Sequence, residues 1–483
     1  YTREETMIAG SARHEMEVTV KLGAMKDGTI RAIEVHALSN TGAYGEHGPT
    51  TIGLVGHKSI PLYSGKYEAF RFVANTVYSN HPSAGAYRGY GATQGVFAME
   101  NTVNLMAHKL GIDPVKIREH NMLHEGDIMT AYNNETANAC ALDQCMARCK
   151  EMMDWDSKFP AKTLPNGHIR SVGVAMAMQG SCISFVDEAN VTIKMNDDGF
   201  YSLLVGSTDM GTGSDTILAQ MAADVLECDL DDVVTYGVDT DTSPYDSGSY
   251  ASSTTYLTGN AVVKAAEQLR QNITEQAAKR LECPKDEVAF DGKILTCVST
   301  GSSITLKELA NQLQGGTEGW QSVTAGGNSP VSPPPYMVGM AEIDVDPETG
   351  KVVPIKYTAC VDCGTVVNPN LARVQTEGGL MQGLGMALYE GQNYNGTGFN
   401  RMRNLMQYKI PTRMDIPKIE VDFRQSYEPT GPFGAKSIGE IVINTPSPAI
   451  AHAIFNATGV MHHELPIMPE HVWRGIQEKK QQG

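Results

Sequence analysis

No stretch of the sequence approaches the roughly 18 uninterrupted apolar residues that a bilayer-spanning helix requires, so nothing in it reads as a membrane span. Cysteine is scarce. Nine in 483 residues are too few for a disulfide framework, and the odd count fits a reducing cytosol. Positive charge is short too: 38 Lys and Arg against 55 Asp and Glu leave a formal net charge of −17. That balance argues against nucleic acid or an anionic membrane as a partner. The opening Tyr1-Thr2-Arg3-Glu4-Glu5 lacks the apolar core of a signal peptide, and no initiator methionine precedes it. The expectation is a cytoplasmic chain that is either a fragment or a processed subunit. What is present is globular: 41% hydrophobic residues exclude disorder as the main state, and the length allows roughly two to four domains.

Metal-ligand spacings are also missing. Cys140, Cys145 and Cys149 approach the C-x4-C-x2-C spacing of a plant-type iron–sulfur site, but their second gap is three residues and no fourth ligand follows. The segment around them, 142–153, reads as a helix, so buried thiols are expected. Cys360-x-x-Cys363 stands in a strand-like run, 352–361, without a second pair, and is expected to be structural. His462-His463-Glu464 with His471 matches no standard site and reads as an exposed turn.

Hydrophobic periodicity divides the chain. Residues 15–22 and 30–38 flank a Lys26-Asp27-Gly28-Thr29 turn and predict a hairpin. Val96, Met99, Val103, Met106 and Leu110 recur at helical spacing up to Gly111, and Asp113-Pro114 opens a further helix through about 123. Pro160, Pro165, Asn166 and Gly167 break the pattern, placing a boundary between one unit at 1–155 and another at 156–483. The second unit predicts strands at 171–178, 189–195 and 200–205, and helices ending at Leu226, over 260–281 and over 306–313. The last of these carries a Thr305…Glu308 capping box. A long loop at 315–335 follows, then a hairpin over 340–361, a helix over 372–389 and a last helix opened by Ser447-Pro448. Strands and helices intersperse without strict βαβ alternation, so the class is α+β, or mixed α/β.

Five glycine-dense loops stand out: Gly85-Ala86-Tyr87-Arg88-Gly89-Tyr90-Gly91, Met210-Gly211-Thr212-Gly213-Ser214-Asp215-Thr216, Gly248-Ser249-Tyr250-Ala251-Ser252-Ser253, Gln382-Gly383-Leu384-Gly385 and Gly434-Ala435-Lys436-Ser437-Ile438-Gly439-Glu440. Four of them lie against or inside a predicted helix. Glycine lets backbone N–H groups approach a ligand, and a helix N-terminus favours negative charge. Five such loops, with Ser, Thr, Gln and Lys interleaved, point to a large polar, phosphorylated cofactor. The familiar nucleotide motifs fail. Residues 434–437 miss the P-loop spacing, neither 85–91 nor 211–213 completes G-x-G-x-x-G after a strand, and G-x-S-x-G and H-E-x-x-H are absent.

In this order the segments resemble the large, molybdenum-cofactor subunit of the xanthine dehydrogenase (molybdenum hydroxylase) family, over essentially the whole chain. Residues 85–91 are similar to its A-F-R-G-F/Y-G loop, 210–216 to its G-Q-G-x-x-T loop, and Ala251-Ser252-Ser253 to its serine segment at the pterin phosphate. Asp362-Cys363-Gly364 with Asn368-Pro369, Glu377-Gly378-Gly379 and 382–385 resemble another long signature. Residues 434–440 resemble the G-x-K-x-x-G-E segment that ends in the active-site glutamate.

The resemblance implies two molybdopterin-binding domains, the first incomplete at its N-terminal side. It also implies a pyranopterin, as cytosine dinucleotide or mononucleotide, whose dithiolene holds molybdenum without a protein ligand. Gln382, Ser252 and Ser253 are implied to bond the pterin and its phosphates, with Ala251 of the 248–253 loop and Lys436 of the 434–440 loop also implied to bind the cofactor. The backbone at Gly211, Thr212 and Gly213, and that of Arg88, would approach the cofactor. Tyr90 takes the place of an aromatic that stacks on substrate, and the segment from Gln179 to Ser184 forms the pocket's other wall. Glu440 is implied as the catalytic base, taking a proton so that oxygen from water attacks an electron-poor carbon.

Departures from the family refine this. Thr212 stands where the family carries glutamine, so one pterin hydrogen bond is lost or passes through water. The G-G-G-F-G-G-K segment and the glutamine motif before it are missing, to be supplied by another subunit or by absent chain. No arginine occurs near 54–56, where purine-oxidising members have one. Neither an iron–sulfur nor a flavin pattern is present, so [2Fe–2S] and FAD are expected on partner subunits. The expected activity is oxidative hydroxylation of an N-heterocycle or related aromatic. Residues 213–216 and 248–252 also resemble 4-hydroxybenzoyl-CoA reductase, which runs reductively, and a truncated or non-catalytic subunit is a further reading. A Rossmann-type dehydrogenase is disfavoured by the missing glycine fingerprint.

Overall fold

A computed structural model describes residues 1–482. The predicted hairpin forms as antiparallel strands Glu15–Ala24 and Ile30–Asn40, and Ala69–Val77 pairs parallel to the second. A parallel return needs a crossover, and the Gly48–His57 helix provides it. Ile30, Ile33 and Val35 bury one face of this sheet. The Ala92–Leu110 helix packs beside it on Val96, Met99 and Val103. Asp113 caps the next helix, Pro114–Asn121, by accepting from Val115 N–H (2.7 Å) and Lys116 N–H (3.2 Å).

A five-stranded sheet lies at the centre, in the order Lys418–Phe423, Val352–Asp362, Tyr336–Val345, Ile169–Met178, Lys162–Thr163. Every residue of Tyr336–Val345 is buried, which requires cover on both faces. The Leu142–Met153 helix covers one, setting Cys145 and Cys149 beside Cys360. All nine cysteines are free thiols, and those three are buried. The Pro446–Thr458 helix covers the other face, where Ala449 and Ala453 lie against Gly173. The resulting core joins residues from both sides of 155/156: Val96 and Trp155 share one hydrophobic cluster with Val174, Val338 and Ile450. A buried network also crosses that position, because Glu100 accepts from Arg118 Nε (2.8 Å), Met176 N–H (2.7 Å) and the Tyr63 hydroxyl.

A second core lies entirely within 191–323. There the Ser214–Leu226 and Gly259–Leu281 helices pack on a sheet ordered Val233–Tyr236, Tyr201–Val205, Glu188–Met195, Ser322–Asn328. The last strand corrects the sequence reading, which made 315–335 a loop. Its Gly and Ser content reads as a linker, yet Gly326 is needed in a ladder: a side chain there would strike Ala189 O at 2.0 Å. The helix beginning at Pro446 is also not the last, since Pro469–Gln482 follows it. Mixed helix and strand agree with the α+β expectation.

Candidate active site

Three of the glycine loops meet at one carboxylate. The loop 85–91 turns at Gly89 (φ 71°), where a side chain would strike Asn444 Oδ1 at 2.6 Å, so only glycine fits. Its N–H donates to Glu440 Oε1 (3.0 Å). From the 248–253 loop, Ser252 Oγ donates to Glu440 Oε2 (2.8 Å). Gln179 Nε2, just beyond the Ile169–Met178 strand, reaches the same oxygen at 3.4 Å. Glu440 is 8% exposed and is held by these neutral donors without an ion pair among the described residues.

Ala251 (φ 50°) and Ser252 (φ 59°) both take the left-handed conformation, which costs on the order of 1–2 kcal/mol per non-glycine residue. The loop thus stores strain in the shape that delivers the Ser252 hydroxyl. Their backbone N–H groups make no hydrogen bond among the described residues, nor does that of Arg88. The Arg88 side chain bridges outward: Nε donates to Gly439 O (2.6 Å), one terminal nitrogen to Gln382 Oε1 (3.0 Å), and the other to Gln375 Oε1 (2.5 Å). Gln375 and Gln382 stand seven residues apart on the Pro369–Leu388 helix and so share a face. The fourth loop, 382–385, is joined to the site in this way, and the Gln382 amide nitrogen has no partner among the described residues.

Other expected roles change. Asp209, not singled out from the sequence, stands just before the 210–216 loop: its Oδ1 accepts from the N–H groups of Gly211 (2.9 Å), Thr212 (2.8 Å) and Gly213 (3.1 Å). Burial raises its carboxyl, but the N–H donors of Asp215, Gly213, Thr212 and Gly211 outweigh that and hold it below its ordinary value. Those three amides therefore cap a protein carboxylate instead of lying open to a cofactor anion. An Asp two residues before Gly-Thr-Gly is a local turn signal that could have revealed it. The Ser252 hydroxyl is directed to Glu440 and that of Ser253 to Gly248 O (3.2 Å), so of this segment the backbone of Ala251 and Ser252 is what a phosphate could use.

Lys436 leaves the cofactor set. Its ammonium is fully buried, donating to Asp362 Oδ2 (2.9 Å) and Ala139 O (2.9 Å).

Tyr90 is 3% exposed, and its hydroxyl is buried without a partner. Burial first, then the charges of Glu440, Asp187 and Tyr250, push its phenol far up, so it stays neutral. Ser184 makes no hydrogen bond to Glu440, whose donors among the described residues are Gly89, Ser252 and Gln179. Lys58, also unanticipated, is 3% exposed. It donates to Tyr132 Oη (2.7 Å), and a side chain on Gly180 would lie 2.9 Å from its Nζ.

Burial pushes Lys58 down to about 7, against the opposing pull of Glu135, Cys182 and Glu440. Between that pH and the ordinary lysine value of about 10.4 the unfolded chain holds a proton that the folded one has lost, so stability rises with pH across the window. The penalty is complete below it. Lys58→Met is expected to raise the thermal midpoint, with a larger gain at pH 6 than at pH 9. A variant that melts lower at both pH values would refute this account.

The chain and its fold have relatives. Residues 1–122 and 148–417 match two family descriptions, each a molybdopterin cofactor-binding domain. The chain is 38% identical over 496 residues to the probable hypoxanthine oxidase XdhD of Escherichia coli (strain K12), across 99% of this chain and 51% of that protein. It is 33% identical over 487 residues to the putative xanthine dehydrogenase molybdenum-binding subunit XdhA of the same strain, across 98% and 64%. The crystal structure of quinoline 2-oxidoreductase from Pseudomonas putida 86 shares the fold with a TM-score of 0.89 at 23% identity, over 99% of this chain and 64% of that one. The class is a molybdopterin-binding protein. Within it, this chain belongs to the xanthine dehydrogenase, or molybdenum hydroxylase, family and is of its large-subunit type. It spans about half to two thirds of the length of the relatives it matches.

Proposed function

We propose that the chain is the catalytic, molybdopterin-binding part of a molybdenum hydroxylase that oxidatively hydroxylates an N-heterocyclic or related aromatic substrate, with water as the oxygen source. The residues fit such a cofactor: the N–H groups of Arg88, Ala251 and Ser252 and the Gln382 amide nitrogen have no partner among the described residues. These groups would hold the pterin and its phosphates, in the cytosine dinucleotide or mononucleotide form. When bound, the cofactor supplies two-electron redox chemistry and an activated oxygen.

The chain's own part is proton handling and substrate placement. The observation that carries the reading is Glu440, a buried carboxylate held by neutral donors from three separate parts of the chain. Gly89 N–H and Ser252 Oγ fix one oxygen each, so a remaining lone pair accepts the proton in a defined direction. The Tyr90 ring would stack on a flat substrate and Gln179 close the facing wall. The names of the E. coli relatives favour an N-heterocycle over an aromatic thioester. Electrons would leave through iron–sulfur and FAD subunits. The division into units at 1–155 and 156–483, and a cytoplasmic location, belong to the same proposal.

The test is molybdenum and phosphorus per chain, with mass spectrometry of the released cofactor, on the complex purified from a host that makes it. About one molybdenum per chain is expected. A folded complex free of molybdenum would make the chain a non-catalytic scaffold.

A further inference from the structure

Arg13 stands 75 residues before the loop it touches. One terminal nitrogen donates to Arg88 O (2.7 Å) and the other to Thr93 Oγ1 (2.6 Å), while the guanidinium lies 4.5 Å over the Tyr87 ring. Thr93 in turn donates its N–H to Gly89 O (3.0 Å), and its hydroxyl lies 3.1 Å from the same carbonyl and 2.8 Å from Gln94 Oε1. The side chain thus grips both carbonyls that flank Gly89, one directly and one through Thr93. It forms no ion pair among the described residues, and its Nε is buried without a partner. A part-buried guanidinium whose Nε is enclosed and which has no carboxylate partner is costly to keep, which asks for a role. Burial pushes Arg13 down to about 10, with Tyr87, Glu440, Tyr408 and Glu390 pulling it back up, so it is charged at neutral pH.

The carbonyl of Arg88 and the N–H of Gly89 are two ends of one planar peptide group. The first accepts from Arg13 and the second donates to Glu440 Oε1. A cation on the carbonyl oxygen withdraws electron density from the amide and strengthens its N–H as a donor. We propose that Arg13 is a positioning residue for the Glu440 carboxylate, acting through the Arg88–Gly89 peptide group. The proposal rests on the reading of Glu440 as the base. The charged or titratable groups around that carboxylate are Arg13, Arg88, Lys58 and Tyr90. Arg13 is the one whose hydrogen bonds fix the donor to Oε1. Arg88 holds the neighbouring Gly439 carbonyl instead.

The sequence makes a direct test available. Arg88–Gly89 and Arg474–Gly475 are its two Arg–Gly pairs, so carbonyl-13C arginine with 15N glycine in the full chain reports this peptide and one internal control. In Arg13→Gln the Gly89 amide proton is expected to move upfield while the control stays still, and Arg13→Lys gives an intermediate shift. In a double-mutant cycle with Glu440→Gln the two effects on that proton are expected to be non-additive. In the loaded complex kcat falls roughly ten- to hundredfold in Arg13→Gln, with KM little changed. An unmoved Gly89 proton, or strictly additive shifts, overturns the relay. If Arg13→Gln does not fold, Arg13→Lys decides by the same criteria. A relay present in the spectra with unaltered turnover would leave the relay standing and reject Glu440 as the base.

Discussion

Glu440→Gln in the assembled, cofactor-loaded complex is expected to lower turnover by about two to four orders of magnitude while leaving fold and cofactor content in place. The fold survives because the substitution is close to isosteric and its contacts adapt. The glutamine carbonyl still accepts from Gly89 N–H, and the Ser252 hydroxyl rotates to accept from the new amide instead of donating to a carboxylate. Gln179, at 3.4 Å, is the loosest of the three neighbours and turns its amide. What the amide cannot do is take a proton. Steady-state kcat with metal content measured on the same sample checks this, and near-normal turnover at full occupancy rejects Glu440 as the base. Loss of molybdenum in the variant would make Glu440 a cofactor-binding residue, a different role.

Such a prediction could be framed from the sequence because Glu440 closes a seven-residue motif, whereas its partners lie 188 to 351 residues away. Periodicity gave the helices and strands well, since each is a local property: Ala92–Leu110, Leu142–Met153 and the Thr305-capped helix form where apolar spacing and caps put them. It failed at Ser322–Asn328, where the ladder with Glu188–Lys194 supplies what composition does not. The site divides in the same way. Glycine content marks the loops 85–91, 248–253 and 434–440, which meet at Glu440, but it marks 210–216 as well, and which group each amide serves depends on tertiary contacts. Asp209 fills the nest at Gly211–Thr212–Gly213, and Arg13 carries no motif at all.

Lys436 shows the same divide at larger energetic stakes, since a lysine in a glycine loop invites a phosphate in sequence and meets an aspartate in space. Both side chains of the Lys436–Asp362 pair are fully buried, and Asp362 also accepts from Ala141 N–H (2.8 Å), Gly364 N–H (3.0 Å) and Ser426 Oγ (2.7 Å). Breaking such a pair from one side strands a charge in the core and costs about 3–5 kcal/mol. Lys436→Met is therefore expected to lower the melting temperature of the cofactor-free chain by several degrees. Adding Asp362→Asn should recover part of the loss, because the stranded charge goes with it, though not all, because three donors were arranged for a carboxylate. A phosphate-binding lysine would behave in the opposite way, leaving the cofactor-free chain as stable as before and weakening cofactor retention alone. Melting curves of the single and double variants without cofactor separate the two. They also locate the first link to Glu440, because Lys436 N–H is anchored to Cys363 O (2.8 Å) and Ser437 N–H to Ser181 Oγ (3.1 Å). A loop loosened at Lys436 would carry its carboxylate, four residues on, away from Gly89 and Ser252.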